Sequence, residues 1–227
     1  MHRLHAAVAL ATAMGAAVPA TAGPLTVAPT TVQIAPDRHS AVVTVVNDGD
    51  APVVLQFRAY DWAQRDGRDA LTPSAALAVS PAIATVAPHA RQLFRVTEQD
   101  GALVQERSYR LRLNEIPAAG ATGVGVALEF SLPVFHTPAA AAPRLRWEPT
   151  AAGVRVTNDG DRRVRFAALA LTGVDGAAGT VAGATGAYLL AGASRDFPAA
   201  GVPAGARLAG VADTGPIDVA RLRLAAR

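Results

Sequence analysis

Histidine, serine, carboxylate and arginine supply the candidates for chemistry in this chain, because its 227 residues contain no cysteine and no lysine. Thiolate catalysis, thiolate metal sites and disulfides are therefore excluded. His2 and His5 lie in the N-terminal leader described below, and His39, His89 and His136 fall in separate turns or strand ends. No His-x-His or His-x-x-x-His spacing occurs and no carboxylate completes a three-ligand set, so no metal is expected. No Gly-x-Ser-x-Gly elbow nominates a nucleophile, and no phosphate-cradling glycine loop opens a helix. The chain is read as a non-enzyme with no cofactor. All 21 strong cations are arginines, set against 18 acidic residues for a net charge of +3. With no basic run of five or more, this is not a nucleic-acid footprint. Any anion site must use guanidinium, backbone N–H or imidazole groups.

The elements that must position these side chains read as strands. With 51% hydrophobic and 17% charged residues, the chain suits one large domain or two ordinary ones, and disorder is excluded. Its 20 Gly and 16 Pro are dispersed, as in a turn-rich all-β protein. Val27 to Ile34 alternates loosely. Ala41 to Val46 is β-branched and runs into Asn47-Asp48-Gly49-Asp50, a hairpin signal that makes Val53 to Trp62 the return strand. There Val53, Leu55, Phe57 and Ala59 face one way, Gln56 and Arg58 the other. Gln64 to Gly67 is the next turn, and Leu77 to Ser80, Ile83 to Val86 and Gln92 to Thr97 are short strands. Ser108 to Leu113 sets Tyr109, Leu111 and Leu113 against Arg110, Arg112 and Asn114. The longest alternation follows, with Val124, Val126, Leu128, Phe130, Leu132 and Val134 on one side. Gly125, Ala127, Glu129, Ser131, Pro133 and Phe135 occupy the other. About seven strands in this half point to an immunoglobulin-like sandwich.

Residues 138–144 are rich in Pro and Ala and read as a semi-rigid linker. Beyond them, Val156-Thr157-Asn158-Asp159-Gly160-Asp161 mirrors Val45-Val46-Asn47-Asp48-Gly49-Asp50. Two β-sandwich domains joined by a bend follow, over residues 23–137 and 145–227. Residues 1–22 read as a secretory signal: Met1, His2, Arg3 and His5 precede the apolar run Ala6 to Val18, and Ala20-Thr21-Ala22 is a small-x-small cleavage site. That run is short of the roughly 20 residues a bilayer demands. The mature chain is expected to be exported without membrane insertion.

The stretch from Val124 to Val134 has two readings. It is either a central core strand or an exposed strand that pairs with a partner lacking one and inserts alternate side chains into that partner's core. An ordinary edge strand is blunted by charge or proline, whereas Glu129 and Pro133 both lie off the regular apolar face.

The sequence resembles the PapD-like periplasmic pilus-assembly chaperones, and more closely their archaic or spore-coat-U-associated branch. The resemblance rests on Asn47-Asp48-Gly49-Asp50-Ala51-Pro52, on Trp62-Ala63-Gln64 followed by Asp69 to Pro73, and on Ser80-Pro81 with Ile83, Val86, Pro88, Gln92 and Arg95. It continues through Tyr109-Arg110-Leu111, Glu115-Ile116-Pro117 and Leu132-Pro133-Val134-Phe135. It implies an L-shaped pair of immunoglobulin-like domains in the periplasm that binds pilin subunits lacking a final strand by donor-strand complementation and hands them to an outer-membrane usher. Val124, Val126 and Leu128 would be the donor side chains, with Phe130 as an extension. In the best-known branch two cations anchor the subunit's terminal carboxylate; here the matching positions are Thr31 and Pro133. Arg110 and Arg112, on the polar face of the neighbouring strand, are nominated instead, with Arg95 behind them; the alternative for them is a solvated strand face. The free protein is expected to cover its donor strand by self-association. The competing expectation is an immunoglobulin-like envelope protein with a binding or structural role and no chaperone activity.

Overall fold

The computed structural model describes residues 25–99, 101–117, 128–203 and 205–221. The expected signal segment, Val124 and Val126 lie outside the described residues. Among the described residues there is no helix, so none is long and apolar enough to cross a membrane. The all-β, two-sandwich architecture is the one observed.

Ten strands build the first sandwich: β1 (Leu25–Ala28), β2 (Val32–Ile34), β3 (Ser40–Asn47), β4 (Val53–Arg65), β5 (Arg68–Pro73), β6 (Leu77–Ser80), β7 (Ile83–Val86), β8 (Arg91–Glu98), β9 (Arg107–Ile116) and β10 (Glu129–His136). One sheet has the order β1-β3-β8-β6; the other has β2-β10-β9-β4-β5, with β7 also on β4. The two-residue periodicity of β4, β8 and β9 sends Leu55, Phe57, Phe94, Val96, Leu111 and Leu113 into the space between the sheets. Phe57 and Phe94 meet there edge to face, 4.6 Å apart.

The Asn-Asp-Gly-Asp turns are not hairpins. β3 pairs with β1 and β8, whereas β4 pairs with β9, β5 and β7, so the chain changes sheets between them. The buried Asn47 side chain holds that corner, donating to the carbonyls of Ala51, Val86 and Ala87 and accepting from Gly49 N–H. A buried amide saturated by backbone groups of its own turn and of the end of β7 outweighs the local turn preference. The tight hairpin occurs instead at Asp66-Gly67, between β4 and β5, where φ is 51° and 73°. Positive φ at both central residues is the primed turn that matches strand twist.

The second sandwich contains β11 (Leu145–Thr150), β12 (Gly153–Asn158), β13 (Val164–Thr172), β14 (Ala178–Thr180), β15 (Tyr188–Leu189), β16 (Ser194–Pro198), β17 (Arg207–Ala212) and β18 (Gly215–Arg221). β18 joins its two faces, antiparallel to β17 and parallel to β11. Trp147, Phe166, Phe197, Leu171 and Leu208 fill the interior. Asn158 repeats the Asn47 device: it is buried, donates to the carbonyls of Arg162, Leu189 and Leu190, and accepts from Gly160 N–H. The repeated motif is therefore a repeated sheet-to-sheet corner.

Candidate functional site

The site begins with β10. On one side it pairs with β9 along its whole length, Glu129 against Asn114 through His136 against Arg107. On the other, β2 covers it only at Val134, Phe135 and His136. Among the described residues no strand pairs with that second side from Glu129 to Pro133. An unpaired edge of this kind is a template for another chain. The apolar row changes character along the strand: Val134 and Leu132 are sealed in the first core, whereas Phe130 and Leu128 are half-buried against it. Accessible apolar surface thus increases from the sealed end towards residue 128.

The outward face of the same sheet carries the polar candidates. Across β4, β9 and β10, Tyr60 lies opposite Arg110, which lies opposite Pro133, and Arg58 opposite Arg112, which lies opposite Ser131. Each arginine leans over the nearby aromatic residue of β4. The Arg112 guanidinium is 5.3 Å from the Tyr60 ring and that of Arg110 is 3.7 Å from Trp62. The two then differ. Arg112 has a carboxylate, Glu129, at 3.7 Å. Arg110 is half-buried and, among the described residues, has no carboxylate within ion-pair distance. Burial pushes its guanidinium below the ordinary arginine value, offset only in part by the fields of Asp69 and Tyr188. Arg95 is exposed on β8, in the other sheet, and is not brought to this group. Thr31 is half-buried just before β2 and Pro133 is buried within β10. The structure therefore assembles Arg110 with Pro133, Trp62 and the open edge.

Beyond Arg110 the outward face meets the second sandwich. Trp62 and Phe135 are buried in that sandwich's core cluster, and the rings of Trp62, Phe135 and Tyr188 lie 5.4 to 5.8 Å apart. Three further contacts fix the junction. Gln64 donates to the Tyr188 carbonyl and accepts from Leu190 N–H, both at 3.0 Å. Glu106, fully buried, accepts from the Arg163 guanidinium at 2.6 Å, the Arg163 backbone N–H at 2.9 Å and the Thr137 hydroxyl at 2.6 Å. The Arg163 guanidinium lies 3.5 Å over Phe135. Nearby, buried Glu98 accepts from Tyr109 and Arg107 and pairs with His136 at the end of β10. Burial alone would raise the Glu98 carboxyl, but hydrogen bonds from Tyr109, His136 and Arg107 hold it below the usual carboxylate range.

Sequence reasoning did not single out Glu98, Glu106, Arg163 or Tyr188, whose partners lie many residues away along the chain. Among the described residues no three His, Asp or Glu side chains are grouped to hold a metal ion.

Residues 24–142 match the model of the pili and flagellar-assembly chaperone family, PapD N-terminal domain. A comparison with curated proteins by sequence finds no match. Among solved structures, the chain is similar to one in the CsuC–CsuE chaperone–tip adhesion subunit pre-assembly complex from the archaic chaperone-usher Csu pili of Acinetobacter baumannii. The identity is 20%, with 88% of this chain and 99% of that one covered at a TM-score of 0.73. It is also similar to the Pseudomonas aeruginosa CupB2 chaperone, at 20% identity, 87% and 100% coverage and a TM-score of 0.60. A third likeness is to the Salmonella enterica SafA pilin in complex with the SafB chaperone, at 16% identity, 89% and 98% coverage and a TM-score of 0.61.

Proposed function

The chain belongs to the pili and flagellar-assembly chaperone family, and from that premise we propose that it captures pilin subunits lacking a final strand, in the periplasm, and passes them to an outer-membrane usher. The single observation that carries this reading is the open side of β10 from Glu129 to Pro133, continuous with half-buried Phe130 and Leu128. Main-chain pairing at that edge supplies affinity, and alternate side chains fill the subunit's open core. Val124, Val126, Leu128 and Phe130 are the donor set. Each contributes about 1.5 to 3 kcal/mol when fully buried, against an association cost of similar order.

Arg110 anchors the subunit's terminal carboxylate. Its support is its lack of a carboxylate partner among the described residues, its partial burial and its place beside Pro133. A guanidinium offers a carboxylate two parallel hydrogen bonds. Arg112, already beside Glu129, is the lesser contributor. Without a guest, a second copy of the chain covers the same edge.

The test is capture of a co-expressed pilin. Leu128→Arg should abolish it while the chaperone stays folded. Arg110→Ala should weaken it by about tenfold to a hundredfold, the value of hydrogen bonds to a charged group, with the melting temperature shifted by only a few degrees. Unchanged capture by both variants would overturn the proposal.

A further inference from the structure

Arg110 does not stand alone. Its guanidinium lies 3.7 Å over the Trp62 ring and 5.9 Å from that of Tyr188, and the two rings meet nearly edge to face, 5.4 Å apart at 80°. Trp62 comes from β4 of the first sandwich, and Tyr188 from β15 of the second. The placement of Tyr188 is set in turn by Gln64, whose amide bonds the backbone on both sides of Leu189, at the Tyr188 carbonyl and the Leu190 N–H. Gln64 lies two residues beyond Trp62 on the same strand. One short piece of β4 therefore supplies the ring under Arg110 and the clasp that holds the second ring against it. Arg165, exposed and 5.5 Å over Tyr188, adds a second cation at this end.

We infer that Tyr188, clasped by Gln64, is a positioning residue for Arg110, so that recognition of a free C-terminal carboxylate depends on the second sandwich although the anchoring cation lies in the first. The inference rests on the reading of Arg110 as the anchor. A flexible arginine loses rotamer freedom when it binds, and a guanidinium held over one aromatic ring and beside a second has given up much of that freedom beforehand. With Tyr188 shortened, Arg110 keeps its charge but samples more orientations, and the bidentate geometry that distinguishes a carboxylate from a neutral amide weakens.

The experiment uses the full mature chain and a synthetic strand peptide of alternating valine and threonine, prepared as the free acid and as the C-terminal amide. Affinities for both are measured for wild type, Tyr188→Leu, Tyr188→Phe, Gln64→Met, Arg110→Ala and the double variant Arg110→Ala with Tyr188→Leu. Wild type should prefer the acid by about tenfold. Tyr188→Leu and Gln64→Met should bring the acid-to-amide ratio close to one while leaving affinity for the amide unchanged, and Tyr188→Phe should retain the preference because the ring remains. In the Arg110→Ala background, Tyr188→Leu should not change the ratio further. A ratio that stays near ten in Tyr188→Leu and Gln64→Met overturns the positioning role and leaves the anchor standing. A wild type that binds acid and amide equally overturns the anchor, and the inference with it. Tyr188 is half-buried at the margin of the second core, against Trp62 and Phe135; should Tyr188→Leu fail to fold, the ratio measured for Gln64→Met decides the matter by itself.

Discussion

Truncating Glu106 to alanine removes one carboxylate and three hydrogen bonds together, from the Thr137 hydroxyl, the Arg163 backbone and the Arg163 guanidinium. The side chains of Glu106 and Arg163 are 0% and 7% exposed, so solvent does not screen the pair. Without Glu106 the guanidinium stays buried over Phe135, with Asp213 at 3.9 Å and Gln33 at 3.4 Å as its remaining polar neighbours. Breaking a buried pair from one side costs about 3 to 5 kcal/mol, because the charge left behind loses its buried partner, and the partly exposed Asp213 at 3.9 Å replaces none of the three hydrogen bonds. Urea unfolding followed by the fluorescence of Trp62, on β4 at the junction, and Trp147, inside the second sandwich, should show a loss in that range for Glu106→Ala. Replacing both partners with apolar residues, Glu106→Leu with Arg163→Met, should recover most of it, since no charge remains buried. A loss below about 1 kcal/mol for Glu106→Ala, the level of an exposed pair, would refute the reasoning. So would a double variant as damaged as the two single variants summed.

The two sheet-to-sheet corners offer a parallel test: Asn47→Ala and Asn158→Ala should each cost about 1 to 3 kcal/mol, because each leaves several backbone groups without their partner. Equal stability of wild type and either variant in urea would count against the saturated-amide account. Glu98 contributes to stability at the acid end. Its folded-state carboxyl titrates below the usual range, so its contribution is present above that range and is lost as pH falls through the folded value. His136, Tyr109 and Arg107 bond or pair with it, and His39 lies edge-on to His136. The stability gap between wild type and Glu98→Gln should therefore be constant near neutrality and close in acid. A gap that widens in acid would reverse the assignment.

Much of the first sandwich was legible because its strands bury one face. Alternation alone placed Leu55 and Phe57 inwards on β4 and Leu111 and Leu113 inwards on β9, as found. It also set Arg110 and Arg112 outwards on the strand beside β10. The Asn-Asp-Gly-Asp motif was legible as a repeat and misleading as a hairpin, because a turn's composition does not reveal whether a buried amide ties it to another strand. Asp66-Gly67, chemically similar, forms the hairpin. What distinguishes Arg110 from Arg112 was not legible, since it depends on where Glu129 and Trp62 lie in space. Likewise, burial of Trp62 and Phe135 comes from the second sandwich packing on an otherwise outward face. The period of a strand carries no record of such a neighbour.

Subunit capture depends on β10 lending its free edge to a guest, and amide hydrogen exchange across residues 128–132 measures this directly. In the guest-free protein diluted until it is monomeric, amides on the uncovered side should exchange freely, and they should become protected by about a hundredfold or more when a co-purified pilin is bound, while β8 in the other sheet stays unchanged. Uncovered-side amides of 128–132 that are already protected in the free monomer, or equally exposed with and without the guest, would contradict it.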